Sequence, residues 1–321
     1  MTPPRASEES SIPVLDGEAG AALSAVAGAI RLSAPAKINW VLDILERRDD
    51  GYHELETVAS TITLADEVVM SNRTGDSSIR LTCNDPSVPA DGDNLACRAA
   101  AMLARRSGVR FGALIGLTKR IPAGAGLGGG SSDAAAVLRG LNRLWGLDWS
   151  LPRLLPIAAA IGSDVPLLMT GGTAVARGRG EFVEPLAFGW PGSLVVAMPA
   201  LHVPTREVYT GVRREDLRIV SEAASVFGDG TAASRWTARE LLERCRNGLE
   251  AAAFRRFDKL AELHAALQQA CDRPWRLCGS GSSMFTACDS VDEAESCART
   301  VRARFGIRAE TARLEESGAR N

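Results

Sequence analysis

Between Pro122 and Asp133 the chain reads Pro-Ala-Gly-Ala-Gly-Leu-Gly-Gly-Gly-Ser-Ser-Asp, five glycines in seven positions directly before an apolar-periodic segment. Backbone without side chains can wrap closely around phosphate oxygens. The unpaired amides and the positive dipole end of the following helix then face the anion. Ser131 and Ser132 add hydroxyl donors. These residue types in this order make a phosphate cradle, with Pro122, Gly124, Gly126, Leu127, Gly128, Gly129, Gly130, Ser131 and Ser132 as its residues. A flexible structural loop is the plainer alternative, and it gives no reason to set so many glycines against a strong helix start.

Better-known glycine loops fit less well. Gly124, Gly126 and Gly129 satisfy G-x-G-x-x-G, with Asp148 roughly where a ribose-binding acid would stand. Asp148, however, follows Trp145-Gly146-Leu147 in an apparent loop, not at the end of a second parallel strand. A Walker A loop needs Gly-Lys-Ser/Thr, whereas Gly130 is followed by serine. A protein-kinase glycine loop runs into a strand, whereas this one opens a helix.

The elements that must position these groups follow from periodicity. Ile30–Leu45 alternates Ile38, Trp40, Leu42 and Ile44 against polar or smaller neighbours and predicts a strand, closed by the Asp49-Asp50-Gly51 turn. Val58–Met70 and Ser78–Cys83 predict strands separated by a turn at Asn72–Gly75. Asp93–Arg106 has helical spacing and Ala113–Lys119 reads as a strand running into Pro122. Ser131–Trp145 is the clearest helix, with Ser131, Ser132 and Asp133 expected to cap it. From about Pro185 the texture changes to a strand at Leu194–Met198, one long helical stretch from Trp236 to Ala270, and a strand-helix-strand ending near Leu314. Strands and helices mix without strict alternation, which predicts α+β.

Composition narrows the class. The 321 residues are 45% hydrophobic and 24% charged, enough for a sizeable core. With 37 basic against 39 acidic residues there is no polyanion-binding excess, so no nucleic-acid partner is expected. No apolar run reaches the roughly 18 residues of a membrane span. Seven scattered cysteines without a C-x-x-C pair suggest reduced thiols in a cytoplasmic protein, and three histidines far from them argue against a structural zinc site. Residues 1–29 read as a poorly ordered extension, since the Ala-rich stretch follows an acidic segment instead of a basic one.

These boxes resemble the GHMP small-molecule kinases, whose central motif is a Pro-x-Gly-x-Gly-Leu-Gly-x-Gly-Ser-Ser loop feeding a helix. Ile161-Gly162-Ser163-Asp164-Val165-Pro166 with Gly171-Gly172 is similar to the segment carrying the family's catalytic aspartate, and Cys278-Gly279-Ser280-Gly281-Ser282-Ser283 to its C-terminal glycine-rich box. Ala34-Pro35-Ala36-Lys37-Ile38-Asn39, followed by Asp50-Gly51-Tyr52-His53-Glu54-Leu55, is similar to members of the family that act on a cytidine diphosphate alcohol in isoprenoid biosynthesis.

The resemblance implies a two-lobed α+β GHMP-kinase fold with the active site in the cleft. The ATP-binding part would span residues 30–184, the substrate part 185–313, and a tail 314–321. It implies ATP as co-substrate with Mg²⁺ accompanying it, Ser131 or Ser132 being the nearest hydroxyls for the metal and no protein ligand set being assigned. Asp164 would be the general base and Lys37 its cationic partner. Asn39, Tyr52, His53, Thr205, Tyr209, Gly279 and Ser280 would contact the small-molecule substrate. Taken alone, Asp164 reads equally as a turn residue, Lys37 as a snorkelling side chain, and Tyr209 as core packing. The state would be a monomer or homodimer. Another GHMP alcohol kinase and a non-catalytic nucleotide-binding member are the alternatives.

Overall fold

The computed structural model describes residues 28–73, 76–221, 223–227 and 235–315, so nearly all of the expected extension and most of the tail lie outside the described residues. β1 (Ile30–Arg47) and β2 (His53–Arg73) form a long antiparallel pair. The turn between them works as its residues require. Gly51 takes φ +85, and the Asp50 carboxylate accepts from the Tyr52 amide at 3.1 Å. β2 is long enough to serve two further partners. Glu67–Arg73 pairs with β4 (Gly112–Thr118), and Leu55–Ser60 pairs with β5 (Thr173–Gly178). β3 (Ile79–Cys83) lies parallel to β4, and β6 (Phe182–Pro185) pairs with β5. The second sheet has the order β11 (Arg308–Ala312), β7 (Ser193–Met198), β10 (Met284–Cys288), β9 (Arg276–Leu277), all antiparallel.

Four helices, α1 (Leu95–Ser107), α2 (Gly129–Leu144), α3 (Leu151–Ile161) and α4 (Val165–Thr170), cover the first sheet, with Leu103, Val137, Leu138 and Ile157 packed on Val68, Met70 and Ile115. Period two puts Ile38 and Trp40 on the opposite side of β1 from Lys37 and Asn39. Ile38 and Trp40 belong to a second cluster that joins the two sheets through Phe188, Leu194, Val196 and Phe285. The Trp40 ring meets Phe285 edge-on at 5.5 Å, and its Nε1 donates to Ser60 Oγ at 2.7 Å. Burial of each such side chain contributes roughly 1.5–3 kcal/mol, which locks the face that β1 turns inward. A third cluster packs the second sheet on α8 (Glu250–Arg256), α9 (Asp258–Cys271) and α10 (Val291–Phe305). The short α5 (Thr205–Thr210), α6 (Ala223–Phe227) and α7 (Ala238–Arg244) complete the described helices, with one 3₁₀ turn at Arg214–Asp216.

The structure departs from the sequence reading in four places. The stretch from Trp236 to Ala270 is not one helix. It is broken between α7 and α8 by β8 (Arg246–Asn247), which pairs in parallel with Val41 and Leu42 of β1. Asn247 Nδ2 donates to the carbonyls of Leu277 and Gly279 at 3.0 and 2.7 Å, a tertiary tie that local propensity does not reveal. The strand expected to end at Met70 continues to Arg73, so Asn72 is paired, not turning. α3 and α4 occupy a stretch to which periodicity assigns no element, and α3 carries Pro156 in its interior. Pro152 and Pro166 sit at the second helical positions, where a missing amide costs nothing. Lastly, α2 is capped by Gly128 at φ +72 without any side-chain bond, while Ser132 and Asp133 are buried within the helix.

Candidate active site

Lys37 is 5% exposed, and its Nζ lies 3.8 Å from Asp164 Oδ2 and 2.8 Å from Asn39 Oδ1. Asp164 sits at the start of α4 without capping it, leaving its half-exposed carboxylate turned outward. Asn39 fixes the lysine because both ends of its amide are tied. Its oxygen also accepts from the Gly279 amide at 3.1 Å, and its amide donates to Thr57 Oγ1 at 2.9 Å. Thr57 in turn donates to the Val41 carbonyl. A buried ammonium needs such partners, since an unpaired charge there would be expensive.

The glycine loop closes over this pair. Lys37 N donates to the Leu127 carbonyl at 2.9 Å, and a Cβ on Gly128 would come 3.1 Å from Lys37 Cγ. Gly126, at φ +78, presses on the C-terminal box so closely that a Cβ would lie 1.9 Å from the Cys278 carbonyl oxygen. Below the loop, Lys119 bridges the buried carboxylates of Asp66 and Asp133, with 2.6 Å to Asp133, and Asp66 accepts from the Ile121 amide. Burial and then the neighbouring Asp66 charge push the Asp133 carboxyl upward, against the pull of Lys119. The start of α2 leaves amides without intrahelical partners, and Gly129, Gly130 and Ser131 border the open space in front of it.

That space is a cavity of about 970 Å³, at the top of the roughly 300–1,000 Å³ range of small-molecule sites. It gathers Lys37, Asn39, Tyr52, His53, Pro122, Gly124, Gly126, Gly128, Gly129, Gly130, Ser131, Asp164, Thr205, Tyr209, Gly279 and Ser280. Two expected residues do not border it. Leu127 is 1% exposed within the core that joins the sheets, and the Ser132 hydroxyl is buried without a hydrogen-bond partner. The step of about 100° between neighbouring helical residues turns Ser132 into the core and leaves Ser131 as the hydroxyl on the cavity side.

The remaining wall is a chain of contacts. Thr205 and Ser280 share a hydrogen bond at 2.9 Å, and one helical turn on, the Tyr209 ring lies 5.4 Å from that of His53. Burial, with the Arg47 charge, holds the His53 imidazole below its usual value. At pH 7 it is neutral, with one nitrogen a donor and the other an acceptor. Burial and then the Asp164 charge push the Tyr209 phenol upward, so it keeps its proton and remains a donor. The exposed Tyr52 ring lies under the Arg179 guanidinium at 4.8 Å. Sequence reading missed Arg179, Ser163, Arg206 and Thr57. Arg179 belongs to the β5–β6 turn, which Gly180 sets against the Ser163 carbonyl beside Asp164. Its glycine-flanked position, Gly178-Arg179-Gly180, was the available clue.

Among the described residues no group of three or more histidine, cysteine, aspartate or glutamate side chains could hold a metal ion. The oxygens facing the cavity beside the glycine loop, Ser131 and Asp164, suit a cation that arrives with phosphate ligands better than one caged by protein.

A model of the GHMP kinases N terminal domain matches residues 94–172. A 4-diphosphocytidyl-2-C-methyl-D-erythritol kinase of Shouchella clausii (strain KSM-K16) is 39% identical over 254 residues, which cover 79% of this chain and 84% of the relative. One from Ralstonia nicotianae (strain ATCC BAA-1114 / GMI1000) is 38% identical over 274 residues, 84% and 88% of the two chains. The crystal structure of a 4-(cytidine 5'-diphospho)-2C-methyl-D-erythritol kinase superposes with a TM-score of 0.75 at 37% identity, covering 89% of this chain and all of that one. A homoserine kinase from Cytophaga hutchinsonii, 19% identical with a TM-score of 0.70 over 91% and 96% of the chains, shares the fold. No helix among the described residues is long and apolar enough to cross a membrane. The chain has the GHMP kinase fold and belongs to the 4-diphosphocytidyl-2-C-methyl-D-erythritol kinase family.

Proposed function

We propose that this enzyme transfers the γ-phosphoryl group of ATP to the 2-hydroxyl of 4-diphosphocytidyl-2-C-methyl-D-erythritol, the ATP-dependent step of the non-mevalonate isoprenoid pathway, in the cytoplasm. The observation that carries the reading is the Lys37–Asp164 pair at 3.8 Å, held between the glycine loop and Gly279 at the cavity wall. Residues 30–184 serve as the ATP-binding lobe and 185–313 as the substrate lobe. This division is supported by the strands of the second sheet, all of which lie beyond Pro185.

Phosphoryl transfer asks for alignment and charge stabilisation more than for covalent chemistry. The amides of Gly129, Gly130 and Ser131 receive phosphate oxygens. Tyr52, His53 and Tyr209 take the cytosine by ring contact and by the neutral imidazole's donor and acceptor, while Thr205 and Ser280 hold the remainder of the substrate. The acceptor hydroxyl then lies against Asp164, which takes its proton as the oxygen attacks phosphorus. Lys37 offsets the negative charge that gathers there. Magnesium bound with ATP would neutralise the phosphates, and the Ser131 hydroxyl at the cavity wall would hold it. Turnover is measured as ADP release from ATP and the cytidyl alcohol. Asp164→Asn is expected to lose about 10²–10⁴ in kcat while ATP still raises the melting temperature. Near-wild-type turnover in that variant would overturn the base assignment.

A further inference from the structure

We propose that Cys271 and Cys297 form a peroxide-sensitive dithiol, converted reversibly to a disulfide that staples α9 to α10. All seven cysteines are free thiols in the structure, but these two are not independent. The Cys297 thiol donates to Cys271 Sγ across only 3.1 Å, so roughly 1 Å of approach separates them from the ~2.05 Å of a bond. Cys271 is the last residue of α9, half-buried, and followed by Asp272 in the left-handed region, so it sits where a helix end can yield. Cys297 is buried in the body of α10. Neither borders the cavity that holds Lys37 and Asp164.

The surroundings assign the roles. Donation from Cys297, opposed by burial and helped by the charges of Arg273 and Arg304, holds the Cys271 thiol below its usual value; donation from Cys297 lowers Cys288 as well, so exposure decides between them and makes the half-buried Cys271 the attacking sulfur. Cys297 keeps its proton. A third sulfur, Cys288, ends β10 fully buried, with Arg273 Nη1 at 3.0 Å; the same guanidinium is tied to the Ala287 carbonyl and to Glu293. That leaves Cys288 shielded from an oxidant in solvent.

With hydrogen peroxide as oxidant, the Cys271 thiolate attacks one oxygen and the O–O bond breaks. The departing hydroxide takes a proton to become water, leaving a sulfenic acid. Cys297 sulfur then attacks the Cys271 sulfur, the S–O bond breaks, and the hydroxyl leaves as water with the Cys297 proton. In sum, two thiols and one peroxide give one disulfide and two waters.

The test treats the full-length native protein with hydrogen peroxide, alkylates remaining thiols in denaturant, and digests with trypsin. Because Arg273 precedes Pro274, Cys271 falls in Leu260–Arg276 and Cys297 in Leu277–Arg299. The expected result is loss of two of the seven thiols, a Leu260–Arg276 to Leu277–Arg299 cross-link whose fragments place the bond at Cys297, and full reversal by dithiothreitol. Cys288→Ser keeps the link, whereas Cys297→Ser and Cys271→Ala lose it while retaining wild-type melting in the reduced state. Seven thiols surviving peroxide, a bond mapping to Cys288, or an unchanged link yield in Cys297→Ser would each overturn the proposal.

Discussion

Replacing Gly126 with alanine tests whether the glycine loop and the Cys278–Ser283 box act as one unit. At φ +78 an L residue costs about 1–2 kcal/mol before any contact is considered. The added Cβ would also lie 1.9 Å from the Cys278 carbonyl oxygen and 2.9 Å from that of Gly281, both backbone atoms that cannot rotate away. Reaching the 3.4 Å of ordinary contact demands about 1.5 Å of separation. The Ser283 amide donates to the Ala125 carbonyl at 3.1 Å across the same junction, and its loss adds about 0.5–1.5 kcal/mol. The total is about 1.5–3.5 kcal/mol. Gly124→Ala is the control, since Gly124 has a similar φ of +67 but a Cβ there meets nothing within 4 Å. It should cost only the backbone strain, about 1–2 kcal/mol. Urea unfolding of both variants, compared at a common slope, reads the difference directly. Turnover of Gly126→Ala should also fall by about 10²-fold, because a displacement near 1 Å misaligns Lys37 and Gly279 together. Equal losses of stability in the two variants would refute the reasoning.

Arg179→Ala should raise KM for the cytidyl substrate about twofold to fivefold, the worth of an exposed cation over Tyr52, and leave KM for ATP unchanged; a change in the ATP constant instead would move Arg179 to the other side of the site. His264 supplies one pH dependence that a single substitution isolates. Burial, opposed by its bond to the Trp275 carbonyl and aided by Arg276, holds its folded pKa below the usual value. The unfolded chain therefore takes up the proton first, and the stability contribution is complete above about pH 6.5 and lost as pH falls from there through the lower folded value. Wild type should accordingly lose more melting temperature than His264→Gln between about pH 7.5 and 5.5, and parallel losses would show that another group is responsible.

Much of the site can be read in the sequence because its parts are local. Pro122–Ser131 combines glycine spacing with a helix start. Lys37 and Asn39 share a strand face by a period of two, and Asp50-Gly51 makes the turn that presents Tyr52 and His53. These features depend on backbone freedom, alternation and turn chemistry, which a few consecutive residues specify. What tertiary structure decided was adjacency. Asp164 reaches Lys37 only because α4 packs under the loop, and Arg179 covers Tyr52 only because β5 pairs with Leu55–Ser60 of β2. The break at Arg246–Asn247 depends on a β1 partner some two hundred residues earlier. Ser132 shows the same division within a single motif. Its hydroxyl is chemically suited to a phosphate, and the packing of α2 buries it one helical position away from the cavity. Periodicity tells a residue which way to face, whereas the partner it meets there is set by strand register and helix packing over long separations.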